Sequence, residues 1–124
     1  MTATPMHRPA NDLLTVELSE PAPSARVTVS GEVDSSSAPL LREQLDTLFE
    51  GALSELVIDL SAVTFLDSAG LCVLAAAHRR ALHQDVRMRV LASSRAVIRP
   101  LQITGLWELL HAEQIDSPAD SVVA

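Results

Sequence analysis

The sequence predicts a single α/β domain built on a mostly parallel β-sheet. A chain of 124 residues has the size of one domain and can bury a core without a metal or a disulfide. Segments with strand-like and helix-like hydrophobic patterns follow one another in the order β-β-α-β-α-β-α. Because a strand, a crossover helix and a further strand repeat in this order, the strands so connected are expected to be parallel.

The N-terminal part predicts a tail and an antiparallel hairpin. Residues 1–12 contain two prolines and little periodicity, so we expect a flexible tail there. Residues 13–18 and 26–30 have strand patterns, and residues 20–24 between them have the composition of a turn. A link this short predicts a hairpin at the edge of the sheet.

The first predicted helix follows a serine-rich turn. Residues 31–34 lead out of the second strand, and the serines at 35–37 are candidate N-caps. Gly51 is expected to end the helix. Its apolar face is formed by Leu41, Leu45, Leu48 and Phe49.

The central elements are a buried strand and a second helix. Residues 56–60 form an almost continuous apolar run, which favours a strand covered on both faces. Asp67 and Ser68 open a helix predicted over residues 69–83. Alternation over residues 86–90 predicts the next strand.

The C-terminal part predicts a third helix and a short final turn. A serine at 93 or 94 is expected to cap a helix that runs to about Thr104, with Pro100 kinking it and Gly105 ending it. Residues 106–110 are predicted to add one more helical turn.

The domain is therefore expected to span residues 13–115. Residues 115–124 are either a short strand with a remnant or a frayed end, and we treat 116–124 as a C-terminal remnant.

Charge and composition argue against several classes of partner. The net charge is −7, with nine arginines and no lysine, which disfavours nucleic acid and anionic membranes. Only Phe49, Phe65 and Trp107 are aromatic, so the core must be aliphatic and platforms for stacking bases are absent. This acidic balance fits a partner protein that is basic at least locally.

Cysteine usage and motifs argue against cofactors and membranes. Cys72 is the only cysteine, so neither an intrachain disulfide nor a zinc cluster is expected. No glycine-rich loop could cradle a phosphate, and we expect no cofactor and no metal. No apolar run reaches about 18 residues, and the first nine residues lack the apolar middle of a signal peptide. We therefore expect a cytoplasmic protein.

The turn formed by Asp67, Ser68, Ala69 and Gly70 is the strongest candidate for a contact site. In parallel sheets, function usually lies where strand C-termini meet helix N-termini. The N–H groups and dipole of the helix start would tolerate a phosphate on Ser68, while a docked acidic or apolar surface would reject the added charge. Ala69 and Gly70 leave the turn bare for a close backbone approach. The alternative is that Asp67 and Ser68 are ordinary N-caps.

Three further side chains could carry chemistry. Asp34 is expected on the same rim as Asp67, either as a partner contact or as a turn carboxylate that caps the next helix. Asp59 ends a strand as a nucleophile would, but position 61 is not a second carboxylate and the chain has no lysine, so enzymatic use is disfavoured. Cys72 is expected to be a small buried residue rather than a redox thiol.

Three segments together resemble a known family. Residues 57–71, VIDLSAVTFLDSAGL, closely resemble the central motif of STAS domains, specifically those of bacterial anti-sigma factor antagonists. GEVD at 31–34 with LRE at 41–43 is similar to the family's earlier segment, and LQITGL at 101–106 to its late helix end. The resemblance implies a mixed, mostly parallel sheet of four to five strands with three to five helices packed on it.

The resemblance also implies a function. It implies that the unphosphorylated protein binds an anti-sigma factor with a kinase-like ATP-binding fold and thereby releases a sigma factor. It further implies that this partner phosphorylates Ser68 and that a phosphatase restores binding, with Asp67 and Asp34 in the contact. Because the family also contains members that are never phosphorylated, a STAS adaptor or scaffold remains the alternative. A small enzyme or ligand carrier is the third hypothesis.

Overall fold

The computed structural model describes residues 14–19 and 23–116, and of residues 14–19 it describes the backbone. These residues form five strands and four helices, in the order β1, β2, α1, β3, α2, β4, α3, α4 and β5. The strands are β1 (Leu14–Ser19), β2 (Ser24–Val33), β3 (Glu55–Leu66), β4 (Arg87–Ala92) and β5 (Ala112–Gln114). The helices are α1 (Ala38–Phe49), α2 (Ser68–His83), α3 (Arg95–Ile103) and α4 (Leu106–Leu109).

The five strands form one sheet in the spatial order β1-β2-β3-β4-β5. The pair β1–β2 is antiparallel, and the pairs β2–β3, β3–β4 and β4–β5 are parallel. The predicted edge hairpin and the mostly parallel sheet are therefore confirmed. Because β2 to β5 are parallel, their carboxyl ends meet at one edge of the sheet.

Two strands are longer than their sequence patterns indicated. Residues 31–33, expected to lead out of β2, still pair with β3, and β3 runs to Leu66 rather than ending near residue 60. β4 pairs with β3 only as far as Asp59, so beyond that point β2 and β3 continue together as a two-stranded extension. Irregular register within this extension breaks the alternation that a sequence pattern would show.

The last strand begins earlier in the chain than the sequence pattern indicates. β5 is Ala112–Gln114, just before the stretch in which a strand was considered. The predicted tail 1–12 and most of the predicted remnant, residues 117–124, lie outside the described residues.

The core is aliphatic, as the composition predicts. Phe49 is 1% exposed and is joined by aliphatic side chains from the sheet and from the helices. β3 runs through the centre of the sheet, and its residues 58–61 are all buried, as expected for a strand covered on both faces. The largest fully buried side chains include Leu41, Leu45, Leu56, Ile58, Leu60, Leu74, Leu101 and Leu110.

The serines before α1 and α3 do not cap those helices with their side chains. Ser37 is the N-cap of α1, but its hydroxyl donates to the carbonyl oxygen of Glu32 at 2.9 Å. Ser94 is the N-cap of α3, and its hydroxyl donates to the carbonyl oxygen of Val63 at 3.4 Å. Through these hydrogen bonds, the two hydroxyls connect the starts of α1 and α3 to the β2–β3 extension. Gly105, at φ +81°, separates α3 from α4 as predicted.

Candidate functional site

The carboxyl ends of β2 and β3 lie side by side at one edge of the sheet, which we call the rim. Val33 pairs with Leu66 at the last position of both strands, and the backbone N–H of Asp67 donates to the carbonyl oxygen of Val33 at 3.2 Å. Asp34 and Asp67 each follow one of these paired residues. The structure thus places the two aspartates on the same rim, as the sequence analysis expected.

Asp67 is the N-cap of α2. It has extended backbone torsions, and its Oδ1 accepts from the N–H of Ala69 at 2.9 Å and from that of Gly70 at 3.4 Å. Its carbonyl oxygen accepts from the N–H of Leu71 at 3.0 Å. The expectation that the N–H donors of this turn are free for a phosphate is therefore wrong for Ala69 and Gly70, because the Asp67 carboxylate already occupies both.

Ser68 is the first residue of α2 and is exposed. Its hydroxyl makes no hydrogen bond to any other described residue, so α2 does not depend on it. A group attached to its Oγ would extend into solvent beside Asp67. The side chain is therefore accessible to a second protein, which a contact or modification site requires.

Ala69 and Gly70 face inwards more than the sequence suggested. Ala69 packs partly buried against the core, and Gly70 is buried. A Cβ on Gly70 would come within 2.5 Å of Cδ1 of Leu66 and within 2.9 Å of Cγ1 of Val33. The missing side chain of Gly70 thus lets α2 pack closely on the ends of β2 and β3, rather than leaving room for a partner's backbone.

Asp34 organises the turn before α1. Its Oδ1 accepts from the backbone N–H of Ser36 at 3.0 Å, from the hydroxyl of Ser36 at 2.7 Å and from the N–H of Ser37 at 3.2 Å. These hydrogen bonds, foremost the one from the Ser36 hydroxyl, hold the pKa of Asp34 below its ordinary value. Asp34 is thus a turn carboxylate, as expected, but its side chain does not cap α1, because both amides that it binds precede the helix. The partner contact stays a prediction.

Asp59 is a buried ion-pair partner in the middle of β3. Its side chain is 8% exposed, its Oδ2 accepts from Nη2 of Arg26 on β2, and its Oδ1 accepts from the N–H of Ser61 at 2.9 Å. Burial raises the pKa of Asp59, but the hydrogen bonds from Ser61 and the Arg26 guanidinium together outweigh it and leave the pKa below the ordinary value. These contacts give the carboxylate a structural role.

Two cavities among the described residues lie away from the rim. One, of about 220 Å³, lies between α1 and α2, and another, of about 140 Å³, lies beside the start of β4. Neither Asp59 nor Asp67 lines either cavity. Within residues 14–19 and 23–116, no helix has both the length and the apolar character needed to cross a membrane.

Sequence reasoning misplaced or missed two side chains near the rim. Cys72, expected to be buried, is exposed on α2. Phe65, which the sequence analysis counted only as an aromatic residue, is 47% exposed at the end of β3. The hydrophobic pattern indicates neither exposure, because Cys72 stands among apolar residues of α2 and the exposure of Phe65 depends on how β3 pairs with β2.

Comparison with known proteins identifies the family. The family model described as the STAS domain matches residues 16–118. The chain belongs to the STAS domain family. RsfB, an anti-sigma-F factor antagonist of Mycobacterium tuberculosis, is 36% identical over 97 residues, covering 78% of this chain and 79% of RsfB. The anti-sigma-B factor antagonist of Bacillus subtilis is 32% identical, covering 78% of this chain and 88% of that protein.

Solved structures show the same STAS fold. An anti-sigma factor antagonist from Mycobacterium paratuberculosis matches with a TM-score of 0.70 and 33% identity, covering 88% of this chain and 91% of that one. Unphosphorylated SpoIIAA, also an anti-sigma factor antagonist, matches with a TM-score of 0.72, covering 88% of this chain and 92% of that one. At 18% identity, SpoIIAA shows the shared fold alone.

Proposed function

We propose that this STAS domain is an anti-sigma factor antagonist that acts by binding a protein, not by catalysis. Two relatives, 36% and 32% identical over most of this chain, carry that name. In its unphosphorylated form it binds an anti-sigma factor with a kinase-like ATP-binding fold through the rim, at Asp34 and the turn from Asp67 to Ala69, while the buried Gly70 supports this turn from below. The sigma factor is then released. Because this step acts on transcription, we propose the cytoplasm as its location.

The exposed hydroxyl of Ser68 is the observation that carries the proposal. The start of α2 is held by Asp67 and not by Ser68, so a phosphate on Ser68 leaves the local fold intact. The phosphate adds about −1.5 to −2 charges at neutral pH on a rim that already holds Asp34 and Asp67. An interface that covers Ser68 would have to desolvate this charge, which is costly without a matching cation. Phosphorylation therefore preserves the domain and weakens its interface.

The proposed switch is a closed chemical cycle. The Oγ of Ser68 attacks the γ-phosphorus of ATP held by the anti-sigma factor, gives its proton to a base of that factor and displaces ADP. A phosphatase then uses water to cleave the phosphate ester, which regenerates the hydroxyl and releases inorganic phosphate. Each step consumes only ATP or water, and neither requires a catalytic group from this chain.

Phosphorylation in a defined mixture tests the proposal. The chain is incubated with ATP and each purified kinase-like anti-sigma factor from the same genome, and binding and intact mass are measured. We expect one factor to bind the chain and to add one phosphoryl group to it, and Ser68→Ala to bind without gaining mass. Ser68→Asp should bind more weakly. Binding without any gain in mass would favour an unphosphorylated adaptor, and equal binding by Ser68→Asp would contradict the charge mechanism.

A further inference from the structure

A β-bulge in β3 turns Phe65 towards solvent. Gly31 pairs with Val63 and Glu32 pairs with Phe65, so Thr64 is an extra residue on β3. In a regular strand, Phe65 would follow Val63 to the same face, because alternate residues share a face. Instead Val63 is 1% exposed, Phe65 is 47% exposed and the next residue, Leu66, is buried.

Several contacts hold this bulge in place. Gly31, opposite the bulge, has a φ of +84°, a conformation that other residues rarely adopt. The hydroxyl of Thr64 donates to the carbonyl oxygen of Gly31 at 3.3 Å. After the bulge, Leu66 enters the core beside Gly70. The exposure of Phe65 is therefore a built feature of the two-stranded extension, and bulges of this kind often re-aim a side chain near a functional site.

Phe65 differs from the other two aromatic residues. Phe49 is 1% exposed, and Trp107 packs partly buried against the core. The exposed half of Phe65 leaves apolar surface in water, and that half contributes nothing to the domain's own core. Buried aromatic anchors supply a large share of the affinity of protein interfaces.

The surroundings of Phe65 are acidic. Glu32 is its direct cross-strand partner, and Asp34 and Asp67 follow the same two strands. In the part of the chain that the structure describes, none of these three carboxylates takes part in an ion pair, and the described ion pairs lie elsewhere in the fold. The rim thus joins one exposed aromatic ring to carboxylates that have no ion-pair partner among the described residues, and a basic surface would complement them.

We propose that Phe65 is the apolar anchor of the rim. It fills a hollow on the partner, and arginine or lysine side chains on one side of that hollow face Glu32 and Asp34. The part of the partner that covers Ser68 carries no such cation, so a phosphate on Ser68 would be buried unpaired. This inference rests on the proposed function, since the occupant is the anti-sigma factor that binds the unphosphorylated rim.

Phe65→Thr tests the anchor, with Leu82→Gln as the matched control. Threonine suits a strand and glutamine suits a helix, so each change removes an exposed apolar side chain at little cost to its element. Leu82, 68% exposed near the end of α2, lies away from the rim. Against the anti-sigma factor that binds the native chain, Phe65→Thr should bind at least about ten-fold more weakly, and Leu82→Gln within about two-fold of native.

Four further measurements distinguish a lost anchor from a damaged fold. Thermal unfolding should be nearly unchanged in Phe65→Thr, and Phe65→Leu should recover part of the affinity because it restores an apolar side chain. Phosphorylation of Phe65→Thr should show a raised KM with little change in kcat, because Ser68 itself is intact. Glu32→Gln should bind more weakly and with less dependence on salt.

The outcomes separate this inference from the proposed function. If no kinase-like anti-sigma factor binds or phosphorylates the native chain, the proposed function fails and the anchor fails with it. If the native chain binds and Phe65→Thr binds equally well, the anchor alone is overturned. Sedimentation of the chain without a partner tests whether Phe65 instead contacts a second copy of this chain. If the native chain is a dimer and Phe65→Thr is a monomer, Phe65 serves self-association and the inference is overturned.

Discussion

Gly70 packs directly against Val33, so closely that a Cβ on Gly70 would lie within 2.9 Å of Cγ1 of Val33. This approach joins the first turn of α2 to the end of β2. The N–H of Asp67 reaches the carbonyl oxygen of the same valine at 3.2 Å. Ser68 lies between Asp67 and Gly70, which both contact Val33. The turn that carries its hydroxyl is therefore fixed on both sides of Ser68.

Gly70→Ala should therefore destabilise the domain. The added methyl group would also meet Cδ1 of Leu66 at 2.5 Å, and relieving such overpacking typically costs about 1–3 kcal/mol. Urea unfolding of the variant should show a lower midpoint with an unchanged slope. Gly51→Ala is the matched control, since its Cβ would meet only the carbonyl oxygen of Leu48 at an ordinary 3.6 Å. Equal stability of the two variants would contradict the close packing at Gly70.

Asp67→Ala should weaken the start of α2. The change removes the acceptor for the N–H groups of Ala69 and Gly70, and loss of an N-cap typically costs about 0.5–2 kcal/mol. Asp67→Asn keeps an acceptor oxygen and should lose much less. Chemical denaturation measures the free energy of unfolding, and hydrogen exchange should be faster at the two freed amides in Asp67→Ala alone. Native exchange rates there would show that the cap is not needed.

The order of elements was predictable because each one carries its own local signal. The turn at residues 20–24, the apolar run at 56–60 and the Asp67–Ser68 helix start each depend on neighbours in sequence. The exposed Ser68 was predictable for the same reason, because a helix start after a parallel strand lies at the rim of the sheet.

The remaining features depend on contacts between distant segments. The bulge at Thr64 follows from pairing with Gly31, 33 residues earlier. The inward position of Gly70 depends on Val33, and no pattern within α2 indicates it. The exposure of Phe65 also depends on this distant pairing, so no local pattern in the sequence indicates it.

Arg26→Met should destabilise the domain at neutral pH. It leaves the Asp59 carboxylate, 8% exposed, without its cation, and a lost hydrogen bond to a buried charged group typically costs about 1–3 kcal/mol. Arg87→Met is the control, because the Arg87–Glu55 pair spans 3.6 Å between side chains that are 77% and 52% exposed. Such surface pairs contribute about 0–1 kcal/mol. Similar losses in both variants would contradict the importance of burial.

The same ion pair predicts a dependence on pH. The pKa of Asp59 is lowered in the folded state, so the unfolded state binds its proton first as the pH falls. The stability contributed by the charged Asp59 is therefore complete above the ordinary aspartate pKa of 3.8 and is lost as the pH falls below it. In unfolding measured from pH 7 to pH 3, the difference between native and Arg26→Met should narrow at the acid end. A constant difference would show that the Asp59 charge is not involved.

Two substitutions at Asp34 separate its two roles. Asp34→Asn keeps a side-chain oxygen for the amides of Ser36 and Ser37 but removes the charge, whereas Asp34→Ala removes both. If the charge faces a basic partner, Asp34→Asn should fold with nearly native stability and bind the anti-sigma factor about five- to ten-fold more weakly. Its affinity should also depend less on salt, because one charge of the pair is gone. Asp34→Ala should bind at least as weakly and should also unfold at lower urea concentration. Native affinity in Asp34→Asn combined with weak binding in Asp34→Ala would mean that Asp34 supports the interface only by shaping its turn.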